Sequence, residues 1–525
     1  MFNKYREENC NKWGEQKSNL TEDEEEGLKS LKQRIKNKEI VILSTDKTGK
    51  FCVMDREKYK EVGEKQIEGD IEVDRREIMR REQILNSHSA MWCKFSNMGE
   101  AHGHKDRIWE SKRTKSENLA NMYLKAKDHK AEIGWRKVVT GCDSDTLGLS
   151  NSVSELLEAV CNSLDTPYEV ISSEDMLACV VECNQKVEKI REEKTRSGQA
   201  LGDEDELIII GNDVVGLFPN ITSAKTGKIV RYKVQESKMK FEGMSFKQVS
   251  LYTYLNQEKT GDLTELRQYF PWRRKVGGTA PGMNNLEINS RDKMGDSYWV
   301  WPKKEPTERH KQMMIARAAE IGTRTVFENF MFSFGGKKYL QAKGGPIGAR
   351  VTMCAARLVM EDWGKQYTAI LLDSGLRVWW IRGYVDDGRQ ATSRMKLGMR
   401  YNNEKRIFEE TAEGRKEDED RIEELGETDS QRMARVCLPC MNSINEDLVF
   451  TVECAEDFPE KRLPTLDFYL WVVQGIILWS YFEKSMRSQL MMMKRSAQGE
   501  QQKMDILSNE MVRRLFQRVR AGGRL

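Results

Sequence analysis

The chain has 525 residues, of which 38% are hydrophobic and 32% charged, and its 86 basic and 83 acidic side chains leave a formal net charge of +3. This composition is typical of a soluble globular protein with roughly three or four structural units. The near-neutral total does not by itself indicate a nucleic-acid-binding protein. Basic residues are nevertheless concentrated at 125–137 and 513–524, where they would follow a phosphate backbone or, for the second stretch, form a solvated helical face.

Cysteine usage and apolar runs exclude further classes. The 11 cysteines show no repeated spacing and no signal peptide precedes them, so we expect reduced thiols inside the cell, in the nucleus or the cytoplasm. Cys437 and Cys440 form a lone CxxC pair, half of what a structural zinc ion requires. The apolar run Leu466–Phe482 is shorter than the roughly 20 residues of a transmembrane helix and contains Asp467 and Gln474, so no membrane contact is predicted.

The first part of the chain alternates charged and apolar stretches. Residues 1–38 form a charged extension, and short strands are predicted at Val41–Leu43 and Phe51–Met54, on either side of a polar turn. Residues 60–118 are charged and predicted to be mainly helical, and a further helix is predicted at Ser152–Asn162.

The second part of the chain alternates strands and helices. The predicted elements are a buried strand at Leu207–Ile210, helices at Ile315–Phe332 and Ala349–Trp363, and two strands within Leu466–Phe482 joined by a turn at Gln474-Gly475. Insertions are predicted at about 229–320 and 401–446, and the charge-dense residues 401–432 are predicted to be an exposed helix pair. This alternation predicts the α+β fold class.

Acidic side chains follow two of the predicted strands. Asp213 ends the apolar strand in GNDVVGLFP, which places a carboxylate at a sheet edge. Asp386 and Asp387 form the one adjacent aspartate pair of the chain, in YVDD, and are typical of a hairpin with both carboxylates at its tip. Two adjacent acids repel each other, so a bound cation stabilises such a pair. Each segment alone has an ordinary alternative, because aspartate is common in turns.

Together, the three aspartates match the requirements of phosphoryl transfer. Transfer from a nucleoside triphosphate uses two Mg²⁺ ions roughly 3.5–4 Å apart, which activate the attacking hydroxyl and stabilise the leaving pyrophosphate. Mg²⁺ is bound by a few carboxylates together with substrate phosphates. We therefore predict that Asp213, Asp386 and Asp387 hold two Mg²⁺ ions, for which Mn²⁺ would substitute.

A glycine-rich stretch, QAKGGPIG at 341–348, lies between the two acidic segments and leads into a predicted helix. Glycine lets a base pair or a template strand approach the backbone closely. The stretch is not a Walker loop, because no Gly-Lys-Ser/Thr closes it. A simple strand-to-helix connection is the alternative interpretation.

The order DVVGLFPNI, QAKGGPIG and YVDD is similar to motifs A, B and C of reverse transcriptases. Further stretches resemble the reverse transcriptases of Penelope-like retroelements in particular. They are TDKTG at 45–49, VMDR at 53–56, YLKAKDHK at 123–130, LPTLD at 463–467 and YFEK at 481–484. The resemblance spans about residue 41 to residue 515.

The resemblance implies a right-hand polymerase. Its fingers would lie at 41–205, its palm at 206–482 and the start of a thumb at 483–525, after an N-terminal extension at 1–40. The family often has Lys-Pro-Thr where this chain has KSM at 484–486, and Arg-Pro where it has RK at 136–137. These departures concern the fingers and thumb more than the catalytic residues.

The resemblance also implies roles for single residues. Asp213 and Asp386 would bind both metal ions with Asp387 assisting, and Val214 would belong to the metal site. Phe218, five positions after the first aspartate, would exclude a ribose 2′-hydroxyl. The residues implied at the nucleotide are Phe218, Arg136, Lys47, Gln341, Gly344 and Pro346, and those implied at the primer or template are Tyr384, Gly345, Gly348, Leu466, Asp467 and Lys484.

The sequence thus predicts an RNA-directed DNA polymerase of a mobile element. Its partners would be an RNA template, a DNA primer and deoxynucleoside triphosphates, and no partner protein is evident. A telomerase-like or other template-directed polymerase, including an RNA-directed RNA polymerase, is one alternative. A catalytically idle remnant of the same fold is another, and it would still bind nucleic acid in a salt-dependent manner.

Overall fold

The computed structural model describes residues 21–46, 50–94, 119–127, 133–141, 144–164, 168–239, 273–276, 297–300 and 308–481. The chain divides into two compact units. The first comprises Met1–Glu68, Leu124–Lys137 and Glu483–Leu525, and the second comprises Gly69–Tyr123 and Val138–Phe482. Two strands, β4 (Ala120–Lys127) and β5 (Gly134–Val139), belong in part to both units.

The first unit begins with helix α1 (Glu22–Lys36), which starts at a reciprocal capping box on Thr21 and carries acidic residues in its first turn. Both features satisfy the unpaired N–H groups and the positive end of the helix dipole. The antiparallel strands β1 (Ile40–Ser44) and β2 (Phe51–Asp55) follow, and then helix α2 (Arg56–Gln66). The two strands predicted here are confirmed.

The second unit contains a four-stranded antiparallel sheet. Its strands, in spatial order, are β11 (Val378–Tyr384), β12 (Asp387–Ser393), β6 (Leu207–Val214) and β15 (Phe450–Glu453). Ile209 and Ile210 of β6 are buried and Ile208 is partly buried, because other layers of the fold pack on both faces of this strand, in agreement with its continuous apolar pattern.

One face of this sheet packs on helices α9 (Arg350–Asp373) and α11 (Asp429–Ile444). Trp363 of α9 stacks on Phe450 with ring centroids 4.4 Å apart, and the Trp363 indole N–H donates to the carbonyl of Met441 at 3.1 Å. A buried Trp contributes a large apolar area, and its one N–H donor is satisfied here.

The other face of the sheet packs on helix α5 (Ser173–Arg196) and on a three-stranded sheet. That sheet consists of β16 (Leu463–Thr465), β17 (Phe468–Val473) and β18 (Ile476–Tyr481). A turn at Gln474-Gly475, with positive φ at both residues, joins β17 and β18, which confirms the predicted hairpin.

The second unit contains further elements. They are β3 (Ile71–Glu72), α3 (Arg75–Lys94), α4 (Leu147–Ser163), α6 (Leu217–Asn220), α7 (Ser223–Glu236), β7 (Arg273–Val276), β8 (Ser297–Val300), α8 (Glu308–Glu328), β9 (Met331–Phe334), β10 (Lys337–Leu340), β13 (Met399–Asn402), β14 (Ile407–Glu410) and α10 (Ala412–Leu425). Helices α4, α8 and α9 confirm the existence of the predicted helices, but α8 ends at Glu328 and the end of the predicted helix, Met331–Phe332, belongs to β9. The α+β class is confirmed. Within the described ranges, no helix is both long and apolar enough to cross a membrane.

The exposed helix pair predicted at 401–432 is wrong. The segment contains the hairpin β13–β14 and helix α10, and its end begins α11. Helix α11 buries Met433, Val436 and Cys437, so it is part of the core. These residues lie just beyond the predicted segment, whose end at 432 falls inside the helix. Most of the insertion predicted at 229–320 lies outside the described residues.

Candidate active site

Asp213 and Asp387 lie directly opposite each other at one end of the sheet. They are Cα partners in the antiparallel pairing of β6 with β12. Directly opposed residues have Cα atoms roughly 4.5–5.5 Å apart and side chains on the same face. Asp213 is exposed and Asp387 half-buried, so both carboxylates face the same accessible end of the sheet.

Asp386 lies in the tight turn that joins β11 to β12. Tyr384 pairs with Asp387, so Val385 and Asp386 are the two central residues of this turn. Val385 has a φ of 59° and Asp386 a negative φ, which is the pattern of a type II′ hairpin turn. A β-branched residue with positive φ is strained by about 1–3 kcal/mol, a cost typical of functional sites.

A backbone hydrogen bond holds this turn against β6. The N–H of Val214 donates to the carbonyl of Asp386 at 3.0 Å, and the Val214 side chain is buried. The predicted acids, which come from two distant segments of the chain, are therefore brought to one end of the sheet. The prediction that Val214 also belongs to a metal site is not tested by this contact.

An arginine that the sequence analysis did not identify lies beside Asp387. The Arg389 side chain is only 4% exposed, and its Nη1 donates to Oδ1 of Asp387 at 2.6 Å. Its Nη2 lies 2.9 Å from Oε1 of Glu453 on β15. Two signals were present in the sequence: Arg389 follows Asp387 by two positions, on the same strand face, and Gly211 interrupts an apolar strand.

Glu453 is a further carboxylate in this part of the sheet. Burial raises its pKa, Arg389 opposes that change, and the negative charges of Asp387 and Asp213 add to the increase. The end of the sheet is therefore a region of concentrated negative charge, which favours a bound cation.

Tyr168 and Asn212 fill the space behind the hairpin. Gly383 and Gly388 are paired across β11 and β12. A Cβ on Gly383 would lie 2.4 Å from the Tyr168 hydroxyl oxygen, and one on Gly388 would lie 2.6 Å from the Asn212 side chain. Burial raises the pKa of Tyr168, and the charge of Asp387 adds to it, so the hydroxyl stays protonated. The two glycines are thus required by packing beneath the turn.

The end of the sheet that carries Asp213, Asp386 and Asp387, here called the acid end, has oxygen donors suited to a hard cation. Mg²⁺ prefers oxygen ligands, and Asp213, Asp386 and Asp387 supply carboxylates from fixed backbone positions. In the part of the chain that the structure describes, no three His, Cys, Asp or Glu side chains are gathered as a ready metal site. Metal binding would therefore bring the carboxylates closer by side-chain rotation with no change of backbone register, and Arg389 contacts one oxygen of Asp387.

The glycine-rich loop contacts the segment that follows Asp213. The N–H of Gly345 donates to the carbonyl of Phe218 at 2.7 Å. Gly344 has a φ of 84°, and a Cβ there would lie 2.3 Å from the carbonyl oxygen of Pro219. The predicted nucleotide residues Phe218 and Gly344 are therefore neighbours, and only glycine fits this approach.

Hydrogen bonds within the glycine-rich loop and to the start of α9 also stabilise the loop. The side-chain amide of Gln341 donates to the carbonyls of Lys343 at 3.0 Å and Gly344 at 3.1 Å. The carbonyl of Pro346 accepts a hydrogen bond from the Thr352 hydroxyl at 2.9 Å, at the start of α9. Gly348 has a φ of 109°, which again favours glycine.

The predicted primer and template residues have different surroundings. Tyr384 is 43% exposed at the end of β11. Leu466 and Asp467 form the turn between β16 and β17, and Asp467 accepts a hydrogen bond from the Ser173 hydroxyl at 2.9 Å. The preceding residue, Thr465, accepts from Nε of Arg389 at 3.0 Å, so this hairpin is joined to the acid end of the sheet.

Of the residues predicted in the fingers and at the start of the thumb, Arg136 belongs to the first unit, and the others lie outside the described residues. Arg136 pairs with Asp46, its Nη1 lying 3.1 Å from Oδ2. Lys47 and Lys484 lie outside the described residues. The roles predicted for these three residues stay predictions.

No family model and no curated protein matches the chain. Among solved structures, the telomerase from Candida albicans in complex with the TWJ fragment of telomeric RNA is 10% identical, with a TM-score of 0.38 over 87% of this chain and 57% of that one. The apo telomerase from Candida tropicalis is 9% identical, with a TM-score of 0.38 over 83% and 56%. The RNA-dependent RNA polymerase of BmCPV at elongation state is 12% identical, with a TM-score of 0.33 over 81% and 27%. The chain spans less than two thirds of each of these proteins.

Proposed function

We propose that the chain is a template-directed polymerase of the reverse transcriptase type, which extends a primer 3′ hydroxyl with deoxynucleotides on an RNA template. One observation carries the proposal. Asp387 pairs in register with Asp213, and Asp386 occupies a strained turn hydrogen-bonded to the next residue, Val214. The backbones of three aspartates thus lie at the end of one sheet, in an order that resembles the motif order of reverse transcriptases.

In this proposal the three aspartates bind the catalytic metal ions. Two bound Mg²⁺ ions, or Mn²⁺ in their place, would activate the primer hydroxyl and stabilise the leaving pyrophosphate. Asp213 and Asp386 would hold the ions and Asp387 would assist. Because sheet hydrogen bonds fix their backbones, the acids keep their spacing without closure of a loop.

The backbone of Phe218 contacts the glycine-rich loop, and the choice of deoxynucleotides rests on the sequence resemblance. We assign the Phe218 ring to exclusion of the 2′-hydroxyl, and the loop from Gly344 to Pro346 to support of the nascent base pair. The Phe218→Ala variant should accept ribonucleotides more readily. Unchanged rejection of ribonucleotides would show that the assignment is wrong, and preferred use of ribonucleotides by the wild type would favour an RNA-directed RNA polymerase.

The finer parts of the proposal rest on the sequence resemblance. They are the origin in a Penelope-like mobile element, contact of Arg136 with the incoming triphosphate, and support of the primer by the strands from Leu466 to Tyr481. A telomerase-like enzyme would use an RNA template of its own. Extension without added template, abolished by ribonuclease treatment of the purified protein, would favour that alternative.

The deciding experiment is primer extension on an RNA template with deoxynucleoside triphosphates and Mg²⁺. Wild type is compared with the double variant Asp386→Ala, Asp387→Ala. Extension by wild type alone supports the proposal, and equal extension by both contradicts the site. Extension by neither would leave the nucleic-acid-binding remnant as the better account, with salt-dependent binding as its measurement.

A further inference from the structure

An ion pair between the buried Arg389 and the partly exposed Glu453 lies directly beneath the acid end of the sheet. In the pairing of β12, β6 and β15, Asp387 faces Asp213, and one step inward Arg389 faces Gly211, which in turn faces Glu453. Side chains two positions apart on a strand share a face. The Arg389–Glu453 pair therefore crosses above β6 on the same face as the two aspartates.

Gly211 provides the space for this crossing. A Cβ on Gly211 would lie 2.9 Å from Nη1 of Arg389 and 3.0 Å from Oε1 of Glu453. A glycine within a strand weakens that strand, and it often marks a place where another group approaches closely. Here the approaching group is the ion pair, so the glycine and the pair form one arrangement.

The guanidinium of Arg389 also contacts a second hairpin. Its Nε donates to the Thr465 hydroxyl at 3.0 Å, and its Nη2 donates to the carbonyl of Pro464. Thr465 precedes the turn at Leu466 and Asp467. One planar group thus contacts Asp387, Glu453 and the β16–β17 hairpin, a combination that the flexible single ammonium of lysine cannot reproduce.

We propose that Arg389, held by Glu453, is a positioning residue that orients the Asp387 carboxylate toward a bound metal ion and fixes the β16–β17 hairpin beside the metal site. The inference rests on the proposed two-metal function. Arg389 holds one oxygen of Asp387 and so limits the rotation of that carboxylate. Glu453 shares the positive charge, so the guanidinium does not neutralise Asp387 alone.

The energetics favour this role over a purely structural one. An ion pair with one buried partner is weak evidence for stability, because desolvation of that partner offsets much of the attraction. Groups that hydrogen-bond a metal-binding carboxylate have a larger effect, and their loss typically lowers metal affinity or activity by about 10- to 100-fold. A structural pair predicts a change in unfolding alone, whereas a positioning pair predicts a change in metal binding.

The test uses the full chain and a pair of substitutions that leaves the net charge unchanged. Mn²⁺ binding is followed by the electron paramagnetic resonance signal of free Mn²⁺ in wild type and in the Arg389→Gln, Glu453→Gln variant. The Asp386→Asn, Asp387→Asn variant defines the site-specific signal. The matched control is Arg394→Gln, Glu206→Gln, which removes a 3.2 Å pair at the opposite end of the same sheet.

We expect the Arg389→Gln, Glu453→Gln variant to bind Mn²⁺ about 10-fold more weakly, and the control to bind as wild type does. In primer extension, its kcat should fall by about 10- to 100-fold while KM for the nucleotide stays the same. Gly211→Ala separates the pair without removing either charge, so it should weaken Mn²⁺ binding in the same direction. It also provides the test if the double variant does not fold.

Wild-type Mn²⁺ affinity in both the double variant and Gly211→Ala would overturn the inference, and so would an absence of aspartate-dependent Mn²⁺ binding in the wild type. The result is separable from the proposed function. If wild type binds Mn²⁺ through the aspartates but extends no primer, the polymerase proposal fails while the Mn²⁺ titration still decides the role of Arg389.

Discussion

Two clusters of acids and arginines in the second unit differ in how far arginines pair with the acids. In the cluster between α10 and α11, the buried Asp418 accepts from Arg400 and from Arg435, each at 2.8 Å. Burial acts to raise the pKa of Asp418, but hydrogen bonds from the two guanidiniums outweigh it and lower the pKa to about 2. Glu427 is likewise bonded to Arg435, at 2.8 Å.

At the end of the main sheet, in contrast, a single guanidinium, that of Arg389, contacts both Asp387 and Glu453, while Asp213 and Asp386 are exposed. This end also carries a β-branched residue with positive φ. Arginines satisfy the first cluster within the protein, which is the mark of a structural network. The second cluster retains concentrated negative charge and backbone strain, which we interpret as preparation for a cation.

The largest contrast is expected from Asp387→Asn. Loss of a carboxylate from the metal site should lower primer extension on the order of 10³-fold, since metal ions contribute several kcal/mol of transition-state stabilisation. Stability should hardly change, because Arg389 keeps its contact with Glu453 and one negative charge is removed from the acid end. Extension rate and thermal midpoint are measured on the same preparation. If the variant were inactive and also strongly destabilised, the acid end would not differ from a structural cluster such as that around Asp418.

The opposite outcome is expected from Asp418→Asn. Removing one partner of a buried ion pair leaves uncompensated charge and costs about 3–5 kcal/mol of unfolding free energy, here with two arginines affected. Activity per folded molecule should be unchanged. Urea unfolding measures the loss, and Glu419→Gln, which alters an exposed pair on the same helix, is the control. A loss of activity without a loss of stability would contradict the interpretation of Asp418 as part of a structural network.

The sequence allowed prediction of the acids because their signals are local. Asp213 follows an apolar strand and Asp386-Asp387 follows another, and each strand is recognisable from its own residues. Glu453 and Tyr168 could not be found this way, because their positions depend on which strand lies beside β6 and which segment packs behind Gly383. Helix α11 was missed because the predicted helix pair ended at 432, inside this helix. Side-chain contacts across the fold decide the positions of Glu453 and Tyr168.

Glu361 differs from the acids of both clusters because it is buried and its pKa is raised. Glu361 on α9 is buried, and its burial raises the pKa from 4.5 to about 7, against the opposing charge of Lys233. The folded state therefore binds a proton that the unfolded state releases between about pH 4.5 and 7. Stability from this group is present below pH 4.5 and decreases as the pH rises to 7, by on the order of 3 kcal/mol.

Glu361→Gln should remove this dependence. The amide cannot ionise, so the variant should gain stability relative to wild type at pH 8 and little at pH 5. Denaturant unfolding at the two pH values gives the difference directly. An equal effect of the substitution at both values would show that Glu361 does not titrate in this range.

The smallest effect is expected from Val385→Gly, which tests whether strain at the acid end is functional. Glycine favours the first central position of a type II′ turn, so the substitution should relieve about 1 kcal/mol of strain and raise the thermal midpoint by a few degrees. The turn would also become less rigid, and the position of Asp386 less defined, so extension should slow by a few-fold. Increased stability with reduced activity would show that the strained turn holds Asp386 for the reaction. Increased stability with full activity would reduce Val385 to an ordinary turn residue and leave the register of β6 and β12 as the feature that positions the acids.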